Sequence, residues 1–101
     1  MRKRVVIAPQ AKRDFIEIVA WYRRKMGAAP AVKVARTLQA GIRATLEIDA
    51  AAASRPDLPD GYRRVVAKAH LIIFQVQADT VRIVRIVHGA RDVPAALTDA
   101  D

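Results

Sequence analysis

The sequence contains no cysteine, which excludes a disulfide framework, a thiolate metal site and a cysteine nucleophile. Aromatic residues make up only 5% of it, too few for a platform on which successive bases of a single strand would stack. No apolar run reaches the length of a membrane span. The basic start MRKRVVIAPQ holds a brief apolar run that stops at Pro9, too short as well for the apolar stretch of a secretion signal. The expected compartment is the cytoplasm, with no membrane partner. Gly-rich phosphate loops and a nucleophile elbow are missing. His70 and His88 are the only histidines, and no carboxylate stands at a metal-ligand spacing from them, so neither a metal nor another cofactor is expected.

What is present is a chain of 101 residues, 52% hydrophobic, sufficient for one small domain with one core. Its net charge of +8 is unevenly spread. Residues 1–46 carry 11 basic side chains against only Asp14 and Glu17, whereas residues 47–101 carry 7 basic and 8 acidic. Such a surplus favours an anionic partner, either nucleic acid or an acidic protein, unless it is simply a solvated, arginine-rich helix surface.

The periodicities predict six elements. Residues 2–8 read as a strand, because Val5, Val6 and Ile7 are β-branched or branched aliphatics and Pro9 cannot continue a ladder. Pro9 suits the first turn of a helix. From there Ala11, Phe15, Ile18, Tyr22 and Met26 form an apolar stripe with Val19 beside it, leaving Arg13, Asp14, Arg23 and Arg24 largely off it. Gly27 is a plausible stop. A second helix is expected after Pro30, carried by Val34, Leu38, Ile42 and Leu46 and fading across Ala50–Ala53. A short connection makes the pair an antiparallel hairpin. The Pro- and Gly-containing residues 54–61 read as a loop. Strands follow at 62–68, 70–77 and 80–88, the last two joined through Ala78-Asp79. The strand at 80–88 is apolar on both faces, with Val81, Ile83 and Val87 on one and Val84 and Ile86 on the other, which marks it as central. The order β-α-α-β-β-β predicts an α+β fold, a helical hairpin packed on a small, mainly antiparallel sheet.

The side chains able to carry chemistry are cationic: Arg63, Arg64, Lys68, Arg82, Arg85, His88 and Arg91, all on or beside the predicted sheet. Cleavage of RNA by its own 2′-hydroxyl needs a base near neutral pKa, cations for the phosphorane and a proton donor for the leaving oxygen. His88 could act as base or acid, and Arg63 and Arg85 could grip phosphate bidentately. A structural reading stands beside this one, in which His88 caps backbone groups at the strand end and Arg63 and Arg85 pair with Asp92 or Glu47. Arg85 is the sharpest case, since an unpaired guanidinium within an apolar strand is costly. It is expected on the open side of the sheet.

Four segments in order resemble the RelE/ParE toxin superfamily. Ala11-Lys-Arg-Asp14-Phe15-Ile-Glu-Ile18, followed by Trp21 or Tyr22, is similar to the family's first-helix pattern. Pro59-Asp-Gly61-Tyr-Arg63-Arg64 resembles its Gly-x-Arg lead-in to the second strand, and Leu71-Ile-Ile-Phe74-Gln-Val76 its apolar third strand, where a Tyr and an Arg are common in place of Phe74 and Gln75. Val84-Arg85-Ile86-Val87-His88-Gly89-Ala90-Arg91-Asp92 is most like the ending of the ParE branch. The resemblance implies a single toxin domain over residues 1–92 with a C-terminal tail at 93–101.

It further implies the toxin of a type II toxin–antitoxin, plasmid-stabilisation type system, held in a hetero-oligomer by a cognate antitoxin. ParE-like members inhibit DNA gyrase and are not nucleases; RelE-like members are endoribonucleases that cut messenger RNA on the ribosome. Residues 93–101 contain no Tyr, Lys or His, which turns the reading toward gyrase. The nuclease alternative would use Arg63, Arg85 and His88. Under either, the target-binding candidates are Arg63, Arg64, Lys68, Arg85, His88 and Arg91. A basic binding module without toxicity is a third possibility on the same core pattern.

Overall fold

The computed structural model of the chain describes residues 3–47 and 61–89. Its elements run β1 (Arg4–Ile7), α1 (Pro9–Met26), α2 (Ala28–Ala44), β2 (Tyr62–Ala67), β3 (His70–Gln77) and β4 (Thr80–His88). The α+β order read from the sequence is thus the observed one. Pro9 opens α1 at the position where a missing N–H is harmless, and Arg23, Arg24 and Lys25 fill its last turn, where cations meet the unsatisfied carbonyls. The two helices are joined by Gly27 alone, at φ 104° and ψ 178°, a backbone conformation that only glycine adopts without strain. It ends α1 by donating its N–H to the carbonyls of Tyr22 and Arg23, and its own carbonyl accepts from Ala31 in the first turn of α2. The second helix therefore begins before Pro30, which sits in its first turn, and ends at Ala44. Ala50–Ala53 lie outside the described residues.

The four strands lie in the order β1-β4-β3-β2, with β1 parallel to β4 and the other two pairs antiparallel. β4 is central, as its two apolar faces require. The β3–β4 hairpin turns through Ala78 and Asp79, flanked by the pair Gln77↔Thr80. One face of the sheet carries the main core, in which Val81, Ile83 and Ile86 of β4 and Ile72 and Phe74 of β3 meet Ala11 of α1 and Leu38 of α2. Leu71, Ile73 and Val87 alternate to the other face and cluster with Tyr62. α2 packs tightly on the sheet at Gly41, where an added Cβ would stand 2.6 Å from Ile72 Cδ1 and 3.1 Å from Ala67 Cβ.

The strict alternation expected of β4 does not hold. Ile73 pairs with Arg85 and Phe74 with Ile83, so Val84 is an extra residue on β4, a β-bulge. The bulge shifts the side-chain parity by one. Ile86 consequently joins Val81 and Ile83 in the main core, and Val87 leaves it for the opposite cluster. A period-two pattern cannot register a bulge when every residue across it is apolar or long.

Candidate functional site

The bulge sits where β1 stops. The last partner of β1 on β4 is Ile83, and Ala8, already leaving the strand, donates its N–H to the Ile83 carbonyl at 2.9 Å. Beyond it the edge of β4 is taken over by α1. Asp14 Oδ2 accepts the Ile86 N–H at 3.0 Å and the Arg85 Nε–H at 2.7 Å, and Oδ1 accepts from Arg85 Nη2 at 3.2 Å. Gln10 donates to the same Oδ1 at 3.0 Å. Asp14 and Arg85 are both buried, at 6% and 4% relative exposure. This is a bidentate, desolvated ion pair that also satisfies a backbone donor of an interrupted ladder.

Two expectations are overturned here. By its pairing Arg85 shares the Ile73 face of the sheet, but it is not left open there: it is buried against Asp14, and Glu47 is not its partner; Asp92 lies outside the described residues. Asp14 is not an off-stripe surface residue. Its spacing from Ala11 and Ile18 places it within the apolar stripe, and its burial follows from that. A lone carboxylate on an apolar helix stripe and a lone guanidinium in an apolar strand were the signal for the pair.

A second cluster forms at the other end of the β2–β3 hairpin. His70 and His88 are direct partners across β3 and β4, with ring centroids 5.8 Å apart and nearly perpendicular planes. The Tyr22 ring of α1 lies 6.2 Å from His70, and Trp21 packs edge-on to Tyr22 at 5.3 Å. His70 is buried whereas His88 is exposed. Burial, and then the neighbouring His88, lower the His70 pKa below its ordinary 6.5, because both disfavour a charged ring. Beside this cluster the hairpin turns through Lys68 and Ala69, with Lys68 at φ 56°, the one left-handed non-glycine among the described residues. A groove of about 490 Å³ opens between this turn and the helical hairpin, bordered by Lys33, Lys68, His70 and Tyr22 over apolar Met26 and Val34.

Two further candidates lie on β2, an edge strand of the sheet. Arg63 pairs with Phe74 and so shares the helix-facing side, while Arg64 pairs with Ile73 on the opposite side. Both are half-buried, and Arg63 Nη1 donates to the Tyr62 carbonyl at 2.9 Å. Arg91 lies outside the described residues. The structure thus brings Lys68 and His88 together around His70 and separates them from Arg85. No binding role for His70, Tyr22 or Lys33 is legible in the sequence. His70 was legible only as the residue two positions beyond Lys68, with no indication that it would face the helices.

The described residues contain no group of three or more metal-ligating side chains and no helix long and apolar enough to cross a membrane.

Residues 5–93 match the model of a protein family described as the ParE toxin of the type II toxin–antitoxin system parDE. The chain belongs to this ParE toxin family. A solved structure of the chromosomal ParDE toxin–antitoxin system from P. aeruginosa superposes on this ParE-family chain with a TM-score of 0.76, covering 86% of this chain and 96% of that one. Sequence identity is 19%, so this likeness speaks for the fold. No match was found among curated proteins. The helix and strand motifs that resembled RelE/ParE toxins therefore belong to a ParE domain, with two helices packed on a four-stranded mixed sheet.

Proposed function

We propose that this ParE-family chain inhibits DNA gyrase in the cytoplasm and is neutralised by a cognate antitoxin bound in a hetero-oligomer. The observation that carries the choice of gyrase over messenger RNA is the fate of Arg85. A nuclease built on this sheet would aim its cations at the scissile phosphate, yet Arg85 is buried against Asp14 at 2.7 Å. That leaves it holding the fold together instead of facing a substrate. Membership of the ParE family supports the same choice, since its members are resembled here over nearly the whole chain. Target contact then falls to Arg63, Arg64, Lys68 and His88, with Arg91 in the C-terminal part. Residues 93–101 act as a tail to the toxin domain.

The antitoxin segment is expected to be acidic, because residues 1–46 hold 11 basic side chains against two carboxylates and opposite charge raises association rates. The deciding experiment adds purified protein to gyrase supercoiling reactions and, separately, to translating ribosomes. Loss of supercoiling or trapped cleaved DNA, with message intact, is the expected result. Codon-specific cuts in ribosome-bound message would overturn the reading and favour the endoribonuclease. A neutralising partner whose association rate ignored ionic strength would remove electrostatic steering from it.

A further inference from the structure

We propose that the groove between the helical hairpin and the β2–β3 turn is a docking site for an acidic, amphipathic segment, with Lys68 as the residue that reads its carboxylate. This rests on the antitoxin reading above and specifies a surface and a recognition residue for it.

Three observations converge on this groove. Its floor is apolar, and Met26, one of its walls, is left 57% exposed. An apolar side chain of a partner would find area to bury there. Its border is cationic. Lys33 enters from α2 and Lys68 from the turn, and among the described residues that line it none is acidic. Nothing within that lining neutralises the two ammonium groups, so a segment carrying both apolar and carboxylate side chains is complementary to it, whereas nucleic acid would leave the apolar floor uncovered. Finally, Lys68 holds φ 56° in a two-residue hairpin turn, at the position where glycine is the usual occupant. A lysine there sacrifices stability for a side chain, and strain of this kind gathers at functional positions. The turn is pinned from the far side by the Gly89 N–H, which donates to the Ala69 carbonyl at 2.9 Å. The backbone that carries Lys68 is therefore held in place.

The structural and recognition roles of Lys68 predict opposite signs for one substitution. Lys68→Gly relieves the turn and removes the charge, so Tm should rise by about 4 °C while binding weakens. Lys68→Asn, which also tolerates the left-handed region, and Lys33→Gln test the charge without the glycine. The probe is an amphipathic helical peptide of leucine and glutamate, with a glutamine version as control and the protein encoded beside this chain as a second ligand.

Each lysine variant should bind the glutamate peptide about two- to fivefold more weakly, the range of one partly exposed ion pair, with binding of the glutamine peptide unchanged. An unaltered affinity for the glutamate peptide, or equal losses for both peptides, would overturn the proposal. So would failure of the wild-type chain to prefer glutamate over glutamine. If the neighbouring protein does not bind the wild type, the antitoxin reading fails by itself, and the peptides still judge the groove.

Discussion

Arg85 and His88 stand three residues apart on the same central strand, and the fold treats them oppositely. Around Arg85 every polar group has a matched partner: Asp14 takes two guanidinium N–H groups and the Ile86 N–H, and both ions are shut away from water. His88 instead lies exposed at the strand end, its ring edge-on to His70, which in turn meets Tyr22 and borders the lysine-edged groove. One site is complete within the chain. The groove beside His70 gathers Lys33 and Lys68 with no carboxylate among the described residues that line it. Basic residues on one strand thus divide into one buried in the domain and one at its surface, and their charge alone does not distinguish them.

The largest effect should come from breaking the complete site. Arg85→Leu leaves Asp14 as a buried, uncompensated charge, and removing one member of such a pair typically costs about 3–5 kcal/mol. For a domain of this size that is a fall in Tm on the order of 15 °C or more, with toxicity lost in step with the folded fraction. Combining Asp14→Leu with Arg85→Met should recover most of it, because paired apolar replacements are frequently neutral. The recovery should stop short by about 1–3 kcal/mol, since the Ile86 N–H keeps no acceptor. Calorimetric melting of the two variants decides the matter. An unshifted melt of Arg85→Leu would show that the pair is not structural.

A smaller loss is expected from Gly41→Ala, which lies beneath the groove. The new methyl would meet Ile72 Cδ1 and Ala67 Cβ at 2.6 and 3.1 Å, and Ile72 is fully buried with little room to yield. Overpacking of this kind costs about 1–3 kcal/mol. Because Ala67 lines the groove, binding of an acidic peptide should weaken along with stability. Weakened binding with an unchanged melt would indicate that α2 shifts relative to the turn without strain.

The His70 cluster should reveal itself through pH. His70 is a base whose folded-state pKa lies below its ordinary 6.5, through burial first and His88 second. The fold therefore favours the neutral ring. Its stability contribution is whole above about pH 6.5 and is lost as the pH falls below that value, levelling off beneath the folded pKa. The ionisable groups facing it, Lys33 and Lys68 at the groove and His88 across the strand, add no negative charge. Chemical denaturation between pH 7.5 and 5.5 should show His70→Gln losing less stability than the wild type. Parallel profiles would mean that His70 is as easily protonated folded as unfolded.

These differences were unequally legible in the sequence. The elements were, because each had an unambiguous period or terminator: Pro9 and Gly27 bound α1, and β3 and β4 fall at His70–Gln77 and Thr80–His88 as their alternation and turn required. The centrality of β4 was legible from its two apolar faces. What escaped was non-local. A bulge at Val84 replaces one apolar residue by the next and leaves no mark on a hydrophobic pattern, yet it sets which residues of β4 meet the helices. The Asp14–Arg85 pair joins positions 71 residues apart, so each half looked like a surface charge or a target contact. The groove likewise is assembled from α1, α2 and the β2–β3 turn, and the left-handed backbone of Lys68 cannot be read from a lysine, a residue type that seldom adopts it.

The smallest effect on stability is expected at His88, and it separates the two mechanisms. The ring is exposed, and its edge-on contact with His70 is worth about 0.5–1.5 kcal/mol at most for aromatic pairs, less where one partner meets solvent. Glutamine keeps hydrogen-bonding capacity and removes titration. His88→Gln should therefore shift Tm by no more than a few degrees. It also removes the cationic neighbour that lowers the His70 pKa, so the acid-side loss of stability should diminish slightly. A gyrase inhibitor needs no proton transfer from this position, and growth arrest should persist at comparable expression. A ribosome-dependent nuclease that used the ring as acid or base would lose about 10²–10⁴-fold in cleavage. Measured with the melt as a control for folding, survival of toxicity places His88 with the partner-facing surface. Its collapse at an unchanged Tm would place it in a catalytic site instead.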